Sequence, residues 1–295
     1  MSLYVIENVD VFRDDGARTL TVPSILITGC SSGIGRHAAF GLQARGWRVF
    51  AGVHQIKDVS PLTDEGLEAI HLDYDSPQSV DAAFDRVLTI TQGRLDAVFN
   101  NGAYSQLGAV EDIETDHLRA QFESNFFGWH QLIRRVVPVM RRQGAGRIVN
   151  CSSILGFITP RYRGAYAASK YALEGLSDAL RLELAETGIH VVLIEPGPIV
   201  SRLAKRAVAR FHETIDIEAS VHRDAYRRSL AYFERDESSS RFKLGPEAVL
   251  KKLVHALESD NPRARYRVTL PTHAAAWMKR ALPDRLLDRF LLRQS

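Results

Sequence analysis

The sequence predicts a single α/β domain built on a doubly wound, parallel, seven-stranded sheet with helices on both faces. Three observations carry this. Short apolar runs of strand length alternate with longer stretches of helical periodicity between Ser24 and Ser201. The first of those runs empties into a glycine-rich turn that opens a helix. Polar and small residues close several of the others, at strand ends where ligands bind in open parallel sheets. The 295 residues suit one large domain, and 45% are apolar, enough for a substantial core. A net charge of +3 is too small to imply a nucleic-acid partner. Cys30 and Cys151 lack metal-ligand spacing, so neither a metal nor a disulfide framework is expected. With no signal-peptide pattern and no apolar run long enough to span a bilayer, the expected location is cytoplasmic.

Residues 1–22 read as a leader with strand-like runs at Leu3 to Ile6 and Val9 to Phe12, and carry no assigned chemistry. Ser24 to Thr28 is the first strand. It runs into Gly29-Cys30-Ser31-Ser32-Gly33-Ile34-Gly35, and a helix from Arg36 to Arg45 ends at Gly46. Strand, glycine turn and helix form the context of a phosphate-binding loop, where glycines let the backbone approach a pyrophosphate and the helix start offers free N–H groups. Arg48 to Val53 is the second strand. In a Rossmann unit an acid at its end binds the ribose 2′-hydroxyl of NAD, and none stands here. The absence leans towards NADP, with His54 or Lys57 to meet a 2′-phosphate.

Leu67 to Leu72 is the third strand, ending at Asp73. Ser76-Pro77 opens a helix to about Thr91. The fourth strand, Leu95 to Phe99, ends in Asn100-Asn101-Gly102-Ala103. Asp112 to Gln143 shows one long helical pattern, with Asn125 among Phe122, Phe126 and Phe127 and therefore expected to be partly buried and partnered. Arg147 to Cys151 is the fifth strand and Ile189 to Ile194 the sixth, which ends in Glu195-Pro196-Gly197-Pro198-Ile199. Between them a helix ends near Thr187. The alternation breaks after Ser201. An insertion at about 202–244, with helical stretches Leu203 to His212 and His222 to Glu234 and a run Asp236 to Ser240 expected to be mobile, is a candidate substrate lid. Gly245-Pro246 opens a helix to about Ser259, and Tyr266 to Leu270 is the seventh strand. The basic, amphipathic tail 271–295 is expected to dock on the 23–270 domain, with an oligomer contact or a peripheral membrane contact as alternatives.

The chemistry gathers in Ile148 to Gly175. The fifth strand ends in Ser152-Ser153, and the helix that follows carries Tyr166 and Lys170 at i,i+4, on one face. A cation beside a phenol favours the phenolate, which makes the pair a candidate acid/base element. Ser153 could donate a hydrogen bond to a carbonyl oxygen. An ordinary amphipathic helix also produces Tyr-x-x-x-Lys, so the pair gains meaning from the glycine turn, Asn125 and Ser153 together.

With those residues in place, the chain resembles the short-chain dehydrogenase/reductases over about residues 24–270. It looks most like the branch of hydroxysteroid dehydrogenases, retinol dehydrogenases and bacterial aldehyde or ketone reductases. The matching residues are Thr28-Gly29-x-x-x-Gly33-Ile34-Gly35, Asp73, Asn100-Asn101, Asn125, Ser152-Ser153, Tyr166-x-x-x-Lys170 and Pro196-Gly197. The resemblance implies an NAD(P)-dependent oxidoreductase that interconverts a carbonyl compound and an alcohol by hydride transfer. Tyr166 would be the acid/base, its pKa of about 10 lowered by Lys170. Lys170 would also hold the nicotinamide ribose. Ser153, with Leu155 and Tyr166, would meet the substrate, and Asn125 would hold a water linking Lys170 to solvent. Gly29, Gly33 and Gly35 would lie on the pyrophosphate and Asp73 on adenine. Thr28, Ser31, Ser32, Ile34, His54, Asn101, Pro196, Gly197 and Ile199 complete the cofactor set. One departure is Gly102-Ala103, where the family usually has alanine then glycine, so a methyl sits where the backbone normally passes the cofactor.

Leu155, Phe157, Ile199, Phe211 and Tyr232 point to a lipophilic substrate, and a homodimer or homotetramer is expected. Two other readings are a catalytically silent dinucleotide sensor and a nucleotide-sugar epimerase or dehydratase. The sensor would need neither Tyr166 nor Lys170. The epimerases usually have a different glycine spacing and a larger C-terminal domain.

Overall fold

The computed structural model describes residues 22–234 and 242–293, without the side chains of 231–234. The strand-like runs of the leader, the run Asp236 to Ser240 and the Tyr232 side chain lie outside the described residues. Strands form where short runs rich in β-branched and aromatic residues can be buried on both faces. They are β1 (Ser24–Ile27), β2 (Arg48–Val53), β3 (Glu68–His71), β4 (Ala97–Asn100), β5 (Gly146–Cys151), β6 (Ile189–Glu195) and β7 (Arg265–Arg267). Their order is β3-β2-β1-β4-β5-β6-β7, and every neighbouring pair is parallel. The chain winds outward to β3, returns to β4 beside β1, and winds out the other way. The connections at the carboxyl ends of β1 and β4 therefore part and leave a crevice. This is the doubly wound, seven-stranded sheet expected from the sequence.

The connecting helices are α1 (Gly33–Gln43), α2 (Val59–Asp64), α3 (Pro77–Ile90), α4 (Thr115–Phe122), α5 (Gly128–Gln143) and α6 (Gly164–Glu183). The helices α7 (Leu203–Thr214), α8 (Arg223–Glu234) and α9 (Glu247–Glu258) lie between β6 and β7, and α10 (Leu270–Ala281) and α11 (Asp284–Leu292) follow β7. α1 packs on α9, while α3 packs on α5 and α4 on α6, which gives the sheet its two helical layers. The main core joins β1, β4, β5 and β6 to the inner faces of these helices, with Phe50, Phe84, Phe99 and Trp129 fully buried. A second small core of Leu107, Ala207, Phe211, Ile215 and Tyr226 fastens the α7–α8 insertion to the loop after β4. The three-residue edge strand β7 is held by Arg265 and Arg267, which pair at 3.1 and 3.2 Å with buried Glu195.

Four elements differ from the sequence reading. The long helix starts at Thr115, and a π turn at Glu123–Phe127 separates α4 from α5. Such a turn carries one extra residue and re-aims the side chains within it, and here it turns Asn125 fully inward. α6 ends at Glu183 rather than near Thr187, the remaining residues forming turns up to Gly188. The seventh strand stops at Arg267. Leu270 belongs to α10, which begins after Thr269 with Pro271 in its first turn, a start signal hidden inside a β-branched run. The tail forms α10 and α11. These bury a narrow stripe, Thr272, Ala275, Ala276 and Leu287, and leave Trp277 67% exposed. Among the described residues no helix is long and apolar enough to cross a membrane.

Gly35 on α1 has no room for a side chain, because a Cβ there would collide with the Gly29 carbonyl. Gly175, exposed in mid-α6, has nothing within 4 Å of that position. In chemical denaturation, Gly35→Ala is expected to lose roughly 1–3 kcal/mol. Gly175→Ala is expected to gain about 0.5–1 kcal/mol.

Candidate active site

A cavity of about 540 Å³ opens between the β1 and β4 ends. Two loops form its back wall. Gly29 leaves β1 at φ +71°, a left-handed conformation that other residues avoid, and a Cβ there would lie 2.5 Å from Gly102 Cα. Thr28 Oγ1 accepts the N–H groups of Asn101 and Gly102 at 2.9 and 3.1 Å, and Asn101 Nδ2 donates to the Thr28 carbonyl at 3.0 Å. The loops thus form one unit. This accounts for the order Gly102-Ala103: residue 102 meets the Gly29 backbone, and the methyl of Ala103 faces the cleft. Ser32 makes no capping bond to α1, and the first turn of α1 holds no acid. Its N–H groups and dipole are left for an anion.

Tyr166 and Lys170 enter the cleft from α6, beside Ser153 from the end of β5. They are 7% and 1% exposed. The ammonium donates to the Cys151 carbonyl at 2.8 Å and lies 4.2 Å from the centroid of the Trp129 ring. A buried cation on an aromatic face gains about 2 kcal/mol. The Trp129 indole N–H donates to the Gly102 carbonyl at 3.0 Å, so this side chain joins the lysine to the double loop. Burial pulls Lys170 down to about 8, and Cys151 and Glu174 oppose that pull. Burial pushes the Tyr166 phenol well above its ordinary value and Cys151 adds to this, while the Ser153 hydroxyl and the Arg163 guanidinium work against it. The phenol therefore holds its proton at neutral pH.

The structure brings Gly29, Ser31, Ser32, Ile34, His54 and Asn101 to the cleft wall, together with Ser153, Tyr166, Lys170, Pro196, Gly197 and Ile199. Six expected site residues do not line it. Thr28 and Gly35 shape the loops from behind, and Gly33 sits against Ser201. Asp73 turns to His54, 3.4 Å away, and Tyr74 and Asp75 form the wall in its place. Leu155 contributes its N–H, which donates to Ser153 Oγ at 3.1 Å. Asn125 is committed elsewhere: Nδ2 donates to the Tyr104 carbonyl at 2.9 Å and to Ser169 Oγ at 3.4 Å, and Oδ1 accepts the Tyr104 N–H at 3.2 Å.

Sequence reasoning missed Tyr104, Arg206 and Arg210, which line the cleft. The available signal was the i, i+3, i+7 spacing of Leu203, Arg206 and Arg210 on α7, which puts all three on one face. The Arg210 guanidinium carbon lies 5.4 Å from the Tyr104 ring centroid. Its Nε and the Tyr104 hydroxyl are buried donors without an acceptor among the described residues. Burial also pushes the Tyr104 phenol up to about 12, against the pull of Arg210. A glycine-walled double loop, an uncapped helix start and orphaned donors suit a ligand rich in phosphate oxygens.

A model of the short chain dehydrogenase family matches residues 23–210. The chain is 44% identical over 268 residues to the uncharacterized oxidoreductase YbbO of Escherichia coli, covering 91% of this chain and 93% of that protein. It is 31% identical over 258 residues to 17-beta-hydroxysteroid dehydrogenase type 1 of Homo sapiens, covering 83% and 77%. A solved short chain dehydrogenase/reductase from Burkholderia phymatum in complex with NAD is similar at a TM-score of 0.72 and 25% identity, covering 88% of this chain and 92% of that one.

Folding lowers the pKa of Lys170 from 10.5 to about 8, so its charged form is penalised below about pH 8. The penalty fades as pH rises towards the unfolded value. Measured by urea titration, the unfolding free energy of the wild type minus that of Lys170→Met is expected to become more positive by on the order of 1–3 kcal/mol between about pH 7 and pH 10. A flat difference contradicts a buried ammonium.

Proposed function

This chain belongs to the short-chain dehydrogenase family, and on that premise we propose that it is an NAD(P)-dependent oxidoreductase interconverting a lipophilic aldehyde or ketone with its alcohol. The observation that carries the reading is the Lys170 ammonium, buried against the Cys151 carbonyl and the Trp129 ring on the helix face that also presents Tyr166. A cation buried at this cost has a use where negative charge forms next to it, and the Tyr166 phenolate is that charge.

In the reducing direction Tyr166 gives its proton to the substrate oxygen, and in the oxidising direction it takes the proton back. The buried setting keeps the proton on the phenol and makes it a weaker acid, and Lys170 offsets this by stabilising the phenolate that is left. Ser153 Oγ already accepts the Leu155 N–H, so its own proton is free to be donated to the substrate oxygen. Asn125 is a positioning residue. Its side chain fixes Tyr104 from both sides and reaches Ser169, the neighbour of Lys170, beside the water expected to link Lys170 to solvent. Leu203, Arg206 and Arg210 on α7 lie against the cleft and limit water there.

The Gly29 loop, the start of α1, Asn101 and Lys170 would hold the nicotinamide dinucleotide, which when bound supplies or accepts the hydride. For the choice between NADP and NAD we carry the lean towards NADP on His54, which lines the wall at the end of β2. Asp58 and Asp75 on the same wall oppose a 2′-phosphate and keep the lean slight. The reading includes a cytoplasmic enzyme working as a homodimer or homotetramer. The exposed Trp277, Leu286 and Phe290 of α10 and α11 offer a surface for that contact or for a membrane surface.

Two measurements test this reading. Reduced-nicotinamide absorbance with a panel of aldehydes and ketones is expected to show turnover that Tyr166→Phe lowers roughly 10²–10⁴-fold while dinucleotide binding persists. Unchanged turnover would overturn the mechanism. His54→Arg is expected to raise the preference for NADP over NAD by roughly tenfold, since a guanidinium binds a phosphate through paired N–H groups.

A further inference from the structure

A second cavity, of about 560 Å³, lies across α7 from the cleft. Leu203, Arg206 and Arg210 face the cleft, whereas Phe211 faces this cavity. Part of its wall is aromatic. Phe211 of α7 and Tyr162 of the loop before α6 meet the Tyr226 ring of α8 edge to face, at centroid distances of 5.0 and 5.1 Å. Tyr226 is anchored, because its hydroxyl donates to Asp112 and accepts the Ala109 N–H at 2.7 Å. Tyr162 is held at φ +62°, which side chains rarely tolerate, and its carbonyl accepts the Gly108 N–H at 3.1 Å. Strain of this kind persists where the surrounding structure over-determines it, and it clusters at ligand clamps.

The charged part of the wall is wholly cationic. Arg161, Arg163, Arg228 and Arg293 come from three separate parts of the chain, and no aspartate or glutamate lines the cavity among the described residues. The nearby acids are engaged elsewhere: Asp112 accepts from Tyr226 and Ser220, and Glu111 faces His222. The guanidiniums of Arg161, Arg228 and Arg293 at the exposed rim repel one another until an anion joins them. Arg163 precedes the first residue of α6, three positions before Tyr166, and is close enough for its charge to act on that phenol. The cavity wall therefore continues into the start of the helix that carries Tyr166.

We propose that this cavity receives the far end of the carbonyl substrate and that this end is anionic: the substrate is an amphiphile with an apolar body and a carboxylate or phosphate terminus. The inference rests on the carbonyl chemistry proposed at Tyr166. The rings of Phe211, Tyr162 and Tyr226 take the body, and Arg161, Arg228 and Arg293 at the exposed rim take the anionic oxygens through paired N–H groups. The substrate is thus more specific than the plain lipophile suggested by the apolar residues of the sequence.

The test compares ω-oxododecanoate with its methyl ester as substrates of the full chain, in the wild type and in the double variant Arg161→Gln/Arg228→Gln. The acid is expected to exceed the ester in kcat/KM by roughly tenfold, as two partly exposed ion pairs supply, and the ratio is expected to fall towards one in the variant. Dodecanoate and dodecyl phosphate, which cannot react, are titrated calorimetrically into both proteins and report which terminus binds better. If neither aldehyde turns over but either amphiphile binds the wild type and weakens about tenfold in the variant, the anion site stands and the assigned reaction fails. Three results overturn the proposal: turnover of acid and ester with equal kcat/KM, an acid preference that survives the double substitution, or neither turnover nor amphiphile binding.

Discussion

A lysine ammonium enclosed in protein is the constraint on which the site depends. Lys170 reaches one carbonyl, that of Cys151 at the end of β5, and one aromatic face, that of Trp129. Each partner must be held in place, and the rest of the architecture does so. Trp129 is fixed by its bond to Gly102, Gly102 by Thr28 and by its contact with Gly29, and Gly29 by the conformation that only glycine adopts freely. The glycine loop and the Tyr166–Lys170 pair, far apart in sequence, therefore share one network centred on the point where the strand order reverses. A disturbance in the loop reaches the lysine through one indole ring.

The same charge shows where stability and function oppose each other. Burial favours an uncharged side chain at position 170, and the fold tolerates the ammonium because a carbonyl, a π face and the Glu174 carboxyl compensate part of the penalty. The insertion after β6 has a comparable double role. Its small core clamps α7 and α8 to the loop after β4, and by doing so α7 divides two cavities of similar size, one walled by glycines and orphaned donors, the other by aromatic rings and arginines.

Much of this was legible in the sequence because local signals and tertiary structure agree. Buried parallel strands read as apolar runs, Ser76-Pro77 and Gly46 mark helix ends, and i,i+4 spacing fixes Tyr166 and Lys170 on one face without further information. What the sequence left hidden depends on long-range geometry. The π turn at Asn125 has no compositional signature, and its burial against Tyr104 arises only once α4 and α5 pack on the domain. Thr269-Leu270 reads as the end of a strand until Gly197 is seen to leave room for Thr269. The resemblance puts Asp73 at the adenine end, and only the folded chain shows its carboxylate 3.4 Å from His54, with Asp75 on the wall beside it. No local pattern names the partners of Trp129, Arg206 and Arg210. Only the folded chain shows what each of them meets.

The pH dependence of carbonyl reduction in the wild type and in Trp129→Leu tests the central claim most directly. Lys170 must be charged to stabilise the Tyr166 phenolate, so the wild-type rate is expected to fall as pH rises through about 8. Without the indole face, the loss of about 2 kcal/mol is expected to move that fall about one and a half units lower. A rate that stays flat up to the ordinary lysine value, or a midpoint that the substitution leaves in place, would contradict a buried ammonium held by Trp129 as the centre of the site.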